Sequence, residues 1–433
     1  MEIWIFLLFF LWLLKFQLGQ VKLTPVFYKS KAIIIILMLW LVYIAFQCIP
    51  LPISVIELLS PEAAHLHSLA SIEVTTATLS VAPHLTVISL LKSISYFVIF
   101  LLTVLLVRRD KRLRWLAYTI VFSGLFQAFY GSIMLLSGVD SLIFEKKYYM
   151  DVATGTFVNR NHLAGYLEMT LAVGIGLLIS QLKDSTDVTW KQRLRSLFKW
   201  LLSGKMLLRL FLVIMVIALV LTHSRMGNTG FFASMMIAGV IALIFKKHAT
   251  RSTVILLVSL LVIDMFIVGA WFGIEKVAER IQGTSMDTIT RDEVNEYTLH
   301  YWENYLWTGS GLGTYYLTFP KYREHDIRAF FDHAHNDYFE FGVETGIIGL
   351  LLVGSCFLLS LWVALLAQYK RRNPLNRGIS FSVVMALIAI LIHSTVDFNL
   401  QIPANAATFM VIMAMGWIAY YLPHQEKRKR RRT

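Results

Sequence analysis

HAHNDYFEFGVETGIIG, residues 333–349, is the stretch on which the reading of this chain turns. Two histidines, an asparagine and three carboxylates run without a break into an apolar helix. A helix that only spans a bilayer has no use for such a doorway. Ionisable groups at a membrane boundary are costly to hold and mark a functional site by default. The stretch therefore predicts a reactive group at the head of a membrane span, on the side away from the cytoplasm.

The surroundings agree. Of 433 residues, 57% are hydrophobic and 15% charged, with a mean hydropathy of +0.63. A soluble domain carries about 25% charged residues, so an all-α polytopic membrane protein is expected. Runs long enough to cross a bilayer fall near 32–49, 86–107, 115–136, 163–182, 253–273, 345–367, 379–398 and 403–421. Two more, 210–222 and 229–245, flank a polar break. The first run, Ile3–Leu14, has Glu2 before it and Lys15 behind, with no basic leader and no small-residue cleavage site. It reads as a short first span with its N-terminus outside, not as a signal peptide. That makes about 11 spans. Cys48 and Cys356 lie in or beside different spans, which argues against a disulfide framework or a zinc site.

The net charge of +13 would suit nucleic acid, but its distribution does not. Alternate loops (15–31, 108–114, 183–209, 246–251, 370–377 and 427–432) hold 29 of the 40 Lys and Arg residues. The opposite loops hold ten, Lys92 lies inside a span, and 50–85 contains no Lys or Arg. Basic loops stay inside, so the C-terminus is expected inside and the long 274–344 loop outside. The chain then divides into an N-terminal bundle of spans 1–8 (1–273), the loop with the reactive histidine (274–344), the C-terminal spans (345–423) and a basic tail (424–433). So long a loop should carry its own helices, and Arg291–Trp307 reads as a surface-lying one.

On this outer side the few basic residues stand out. Arg225 sits in THSRMGNTG (222–230), a reversal between two spans; it reads as a snorkelling arginine or, with free backbone N–H groups around it, as an anion contact. Arg160 sits in VNRNHLAGY (158–166) among Asn159, Asn161 and His162, where binding competes with a plain helix cap by Asn161. Arg291 alone looks like a solvated arginine. Lys321, Arg323 and Arg328 form a basic rim suited to phosphate, partly cancelled by Glu324 and Asp326. GSGLGT (309–314) reads as a tight turn, since no strand precedes it as a dinucleotide site requires. His333 and His335 lack a firm third metal ligand, so a general base is favoured over a metal, with Asn336 beside it. Gly346 and Gly349 permit close packing at the head of the next span. Asp264 is the mid-membrane charge, with Glu168, His393 and Asp397 nearer the outer ends. A proton-coupled carrier would gather such groups at the midplane; here they lie toward one face. A polysaccharide or lipid-linked sugar transporter or flippase is the alternative reading.

An enzyme on the outer face needs a donor already activated and embedded in the bilayer. A polyprenyl diphosphate-linked glycan answers both needs. Arginines would stabilise the departing diphosphate and a histidine would accept the acceptor's proton, with no metal or other cofactor required. VNRNHLAGYLEM, HSRMG, SGLGTYYLTFPKYR and HAHNDYFEFGVETGIIG resemble the O-antigen ligase and polymerase superfamily of bacterial inner-membrane glycosyltransferases, over about residues 30–420. The family pattern of a histidine, then Asn, Ser or Gln, nine residues and Gly-x-x-Gly is met by His335, Asn336, Gly346 and Gly349. The resemblance implies catalytic roles for His335, Arg225 and Arg291. It implies a glycosyltransferase C-like fold of about twelve spans, so the short first run is a departure. An undecaprenyl diphosphate donor, inversion and a periplasmic site in the inner membrane follow from it too, within cell-surface polysaccharide or lipopolysaccharide biosynthesis. Arg160, Asn159, His162, His333, Asn336, Lys321 and Arg323 are then expected to bind substrate. The acceptor is left open among a glycan, a lipid A-core and, for a protein O-oligosaccharyltransferase, a protein. Besides these and membrane lipids, no nucleic acid partner is expected.

Overall fold

The computed structural model describes residues 2–70, 74–139, 143, 146, 148, 150–182, 204–245, 258, 259, 262, 285–324 and 331–423. In chain order the helices are α1 (Glu2–Gln17), α2 (Pro25–Lys29), α3 (Lys31–Gln47), α4 (Ile53–Leu59), α5 (Pro61–Ala70), α6 (Pro83–Leu106), α7 (Asp110–Ser137) and α8 (Arg160–Ser180). They continue with α9 (Gly204–Leu221), α10 (Arg225–Ile244), α11 (Ser285–Asn304), α12 (Tyr315–Thr318), α13 (Asp337–Lys370), α14 (Pro374–His393) and α15 (Pro403–Tyr421). Among the described residues, α6, α7, α8, α10, α13, α14 and α15 are long and apolar enough to cross a membrane, and α3 and much of α9 are shorter apolar helices. This is an all-α polytopic membrane protein. The span expected at 253–273, with Asp264, lies outside the described residues apart from 258, 259 and 262.

At the centre α8 and α14 cross closely. A Cβ on Gly176 would fall 2.2 Å from the Gly378 carbonyl oxygen, and one on Gly378 equally close to that of Gly176. Small residues let helix backbones approach like this where apolar burial supplies no drive between helices in lipid. Around the pair, Leu167, Leu171, Ile379, Val383 and Trp417 are buried.

The two ends of the bundle differ. At one, Arg108 donates to the Lys22 carbonyl at 2.7 Å, Asn373 to Asp110 at 2.6 Å, and Arg371 to the carbonyls of Ala419 and Leu422. This end gathers the basic loops 15–31, 108–114 and 370–377. At the other end the Lys- and Arg-free segment folds into α4, α5 and a two-residue antiparallel pairing of β1 (Leu51–Pro52) with β2 (Thr76–Ala77). It shares a core (Ile56, Leu79, Tyr301, Tyr315, Phe319 and Val343) with the large loop. Both segments thus lie at one end, as the alternation of loops requires.

This cap is locked to the bundle by a break in α13, where Gly346 has φ 62° and ψ −171°, a region that only glycine occupies without strain. The break frees carbonyls that an unbroken helix would consume, and in lipid each needs a partner. The Gly-rich turn supplies them: Ser310 N donates to Val343 O and Gly311 N to Glu344 O, both at 2.9 Å. Gln47 Nε2 donates to Thr308 O at 2.8 Å and Glu344 O at 3.0 Å, and its Oε1 accepts from Leu312 N at 3.2 Å. The Tyr43 hydroxyl lies 2.8 Å from both Thr308 O and Thr345 O, donating to one at a time. The fit is reciprocal. A Cβ on Gly309 would fall 2.2 Å from Glu344 O, and one on Gly346 2.2 Å from Trp307 O.

Three boundaries differ from expectation. The helix expected from 345 begins at Asp337, because the Asn336 side chain accepts from Tyr338 N and Phe339 N. The span expected to reach 398 stops at His393, because residues 394–398 turn back toward Asp337, whose N–H donates to Ser394 O. The cap of α8 is Asn159, which accepts from Asn161 N at 2.8 Å, so Asn161 is already inside the helix.

Gly346→Ala should lower the melting temperature and membrane yield sharply, since about 1–3 kcal/mol of backbone strain adds to a backbone clash. Gly354→Ala, where a Cβ meets nothing within 4 Å, should be neutral. Thermal unfolding of the two purified variants checks this.

Candidate active site

The histidine-rich stretch ends in a left-handed residue. His335 has φ 51°, a conformation uncommon for a residue with a side chain. Asn336, capping α13 and donating to Thr395 O at 3.0 Å, fixes the chain on its far side. The turn sets three imidazoles around one ring. His333 stacks on Phe398 at 4.1 Å between centroids, while His335 and His162 meet the same ring edge-on at 4.9 and 4.7 Å.

Asp397, wholly buried, lies behind this cluster. Its Oδ1 is 3.7 Å from both His335 Nδ1 and His162 Nε2, and its Oδ2 is 3.9 Å from His393 Nε2. Burial alone would raise its carboxyl; the imidazoles of His162 and His335, with His393 behind, outweigh that and hold it well below the usual carboxylate range. His393 Nδ1 in turn meets Glu168 Oε1 at 2.8 Å. A chain of buried acid and imidazole groups thus runs from α8 through α14 to His335, whose side chain keeps 19% exposure. Asp337 is held beside it by Ser394 Oγ at 2.6 Å and Leu400 N at 3.2 Å.

His333 has a separate partner. Its Nδ1 lies 2.6 Å from Glu340 Oε1, and Glu340 Oε2 accepts from Ala334 N at 3.0 Å. Burial by itself would lower the imidazole's pKa, but the adjacent Glu340 charge and hydrogen bond prevail and raise it to about 9. His333 is therefore an imidazolium at neutral pH.

The two candidate arginines of the spans start neighbouring helices. Arg160 opens α8, two residues before His162, and Arg225 opens α10 as an exposed residue. Ser224 caps α10 by accepting from Gly227 N at 3.2 Å. A Cβ on Gly227 would meet Ala164 Cβ at 2.5 Å, and one on Gly230 would lie 3.1 Å from Glu168 Oε2. The first turns of α8 and α10 are thus side by side at the histidine end. Arg291 lies on α11, but its side chain, like residues 325–330 with Arg328, lies outside the described residues. Lys321 pairs with Glu62 of α5, which joins the two halves of the cap. Arg323, half-buried two residues on, donates its backbone N–H to Phe319 O at 3.3 Å.

Asp397, Phe398 and Glu340, like Glu168 and His393, are residues to which sequence reading assigned no role in the site. Their signal was the pattern His393-x-x-x-Asp397-Phe at the outer end of an apolar span, and an acidic residue three places after the Asn336 cap's first helical position. Among the described residues, no group of three or more His, Cys, Asp or Glu side chains is arranged to hold a metal ion.

Residues 210–354 match the family model described as O-antigen ligase, Wzy_C. No curated protein matches the chain. The interval contains Arg225, Arg291, the Gly-rich turn, His335 and the broken head of α13, whereas His162, Glu168 and His393, on α8 and α14, and Asp397, in the turn after α14, lie outside it. Over residues 210–354 the chain is thus similar to the O-antigen ligase family.

Proposed function

We propose that the protein transfers a glycan from undecaprenyl diphosphate to an acceptor hydroxyl at the periplasmic face of the bacterial inner membrane, with inversion and without a metal. The observation that carries this reading is the exposed edge of His335 backed by the buried Asp397 carboxylate. With Nδ1 turned toward Asp397, Nε2 is left to take a proton, and the carboxylate stabilises the imidazolium that forms, as in hydrolase triads. His333 is unsuited to the same task because Glu340 keeps it protonated.

In the proposed step, His335 Nε2 removes the acceptor hydroxyl proton while that oxygen attacks the anomeric carbon. The bond from this carbon to the diphosphate oxygen breaks, and the electron pair leaves with the diphosphate. A single displacement inverts the carbon. Arg225 and Arg291 neutralise the charge growing on the leaving group, which guanidinium forks do bidentately. Arg160, Asn159, His162, His333, Asn336, Lys321 and Arg323 are proposed substrate contacts, with Lys321 first giving up Glu62. The acceptor, whether lipid A-core, a growing glycan or a protein, is set by loops that carry no diagnostic motif. A deletion strain separates these: unligated polymer marks a ligase, single repeats a polymerase and bare pilin a protein transferase.

With purified protein, lipid-linked oligosaccharide and acceptor, His335→Ala should abolish transfer while the protein stays folded in the membrane; full activity refutes the base. Arg225→Ala and Arg291→Ala should each cost about 2–4 kcal/mol of transition-state stabilisation, with Lys only partly restoring it. Asp397→Asn should lower kcat by about 10²-fold or more with KM little changed. A matching loss in a KM-only pattern would remove Asp397 from the mechanism.

The His333–Glu340 pair has a pH signature. Because the folded pKa is above the unfolded value, its stabilisation is complete below about 6.5 and fades as pH rises through about 9. Melting temperature followed across that window should fall in the parent and flatten in Glu340→Gln. An equal slope in both would place the titrating group elsewhere.

A further inference from the structure

Asp397 divides its two oxygens between two sets of partners. Oδ1 faces His335 and His162 at 3.7 Å each and accepts from Phe398 N at 2.9 Å. Oδ2 is left to His393, whose Nε2 lies 3.9 Å away. Among the described residues neither Oδ2 nor that nitrogen has a hydrogen-bond partner, and both residues are wholly buried. A carboxylate oxygen and a bare imidazole lone pair would repel each other here, with no water to separate them. The arrangement is stable only if Nε2 carries a proton.

Glu168 decides that it does. His393 Nδ1 and Glu168 Oε1, 2.8 Å apart, can share one proton. With the proton on nitrogen the pair is an imidazolium and a carboxylate. With it on oxygen the pair is the Nε2–H imidazole and a carboxylic acid. Either form is neutral overall, as a site inside the bundle requires, and either leaves an N–H toward Asp397. The neutral Nδ1–H tautomer would instead leave Nε2 bare and Glu168 an uncompensated anion. Its Oε2 finds no relief elsewhere: it has no hydrogen-bond partner among the described residues and faces α10 at Gly230, where a Cβ would fall 3.1 Å away. The other titratable groups around Asp397 do not compete for its Oδ2. Asp337 is occupied by Ser394 Oγ and Leu400 N, and His162 and His335 both face Oδ1.

We infer that Glu168 and His393 are positioning residues for the proposed base: sharing one proton, they present an N–H to Asp397 Oδ2 and so hold this carboxylate charged, with Oδ1 turned to His335. Without that N–H the charge of Asp397 bears more heavily on His335, whose proton is then harder to remove. That His335 acts as a base rests on the reading above; the pair behind it does not.

The test needs no transfer. Diethyl pyrocarbonate acylates neutral imidazoles within its reach. On this turn it reaches His335 and His333, the latter lining a cavity of about 460 Å³, whereas His162 and His393 are buried. With the full chain in nanodiscs, labelling of each is followed across pH by peptide mass spectrometry. His393→Phe should move the half-maximal pH for His335 upward by about one unit, the size that a hydrogen bond to a charged group supports. The double variant Glu168→Leu/His393→Phe strands no carboxylate on α8 and should show the same shift if the single variant folds poorly. Glu168→Gln, whose amide can donate to Nδ1 and keep the Nε2–H form, should label near the parent's pH. His333, held by Glu340 instead, should keep the parent's profile in every variant. Parent-like labelling of His335 in both His393→Phe variants overturns the proposal. So does an equal shift at His333, since the whole turn would then have moved. In transfer assays the acid limb of kcat should rise with the labelling, which lowers kcat about tenfold below the limb and leaves KM unchanged. A labelling shift in a protein whose parent transfers nothing would sink the transfer reading and leave the pair standing. Transfer by His393→Phe with the parent's pH profile and labelling would do the reverse.

Discussion

The contact on which the rest depends is one of backbone on backbone. Gly309 and Gly346 let the turn after α11 and the broken head of α13 approach until no side chain fits between them. The amides of Ser310 and Gly311 then complete the carbonyls that the break exposes. Without this docking, α13 would need to run straight to satisfy itself in lipid, and its first turns would point away from α14. With it, Asn336 reaches Thr395, Asp337 reaches Ser394 and Leu400, and the histidines are drawn over Asp397. The functional end of the bundle follows from two glycines that chemistry never touches.

Much of this was legible in the residues. The unbroken apolar runs and the skewed placement of Lys and Arg dictate the helices and which loops share an end, because lipid leaves the backbone few alternatives. HAHN followed by the glycine pair marks the histidine turn for a similar reason: a polar doorway at a membrane boundary is too costly to be idle. The partners were not legible. His335 meets a carboxylate 62 residues on and shares it with His162, and nothing local to any of the three says so. The caps misled at Asn161 because Asn159 serves as well by type, and only the backbone geometry decides. Gly346 was readable as a close-packing position, but its partner Gly309 was not, since reciprocal fit is a property of two distant segments.

Burying three ionisable groups in series, from Glu168 through His393 to Asp397 behind the partly exposed His335, would be prohibitive if each stood alone. Alternation makes it tolerable, since every carboxylate faces at least one imidazole and every imidazole a carboxylate. Such a series resists simple truncation. Removing one member strands its neighbours without water, so the loss exceeds that of a single pair. The series also explains why α8 is buried along nearly its whole length while most other spans expose a broad apolar face: it carries the charge that must be kept from lipid.

A site that moves a sugar off a diphosphate faces a conflict of charge. The base needs a carboxylate behind it, and the leaving group needs cations with no carboxylate in view. On the proposed reading the two demands are met here at different depths. Asp397 is wholly buried, so only the imidazole it supports faces the cavity, and the Phe398 ring separates His333 with its own Glu340 from His335 and His162. Arg160 and Arg225 stand at helix starts, where backbone N–H groups add to the positive field. On that reading, moving Asp397 outward by one turn would expose its charge to the proposed diphosphate and cancel the advantage it would confer on His335. The turn that ends α14 at His393, five residues short of the apolar run, is what keeps that carboxylate behind the imidazole.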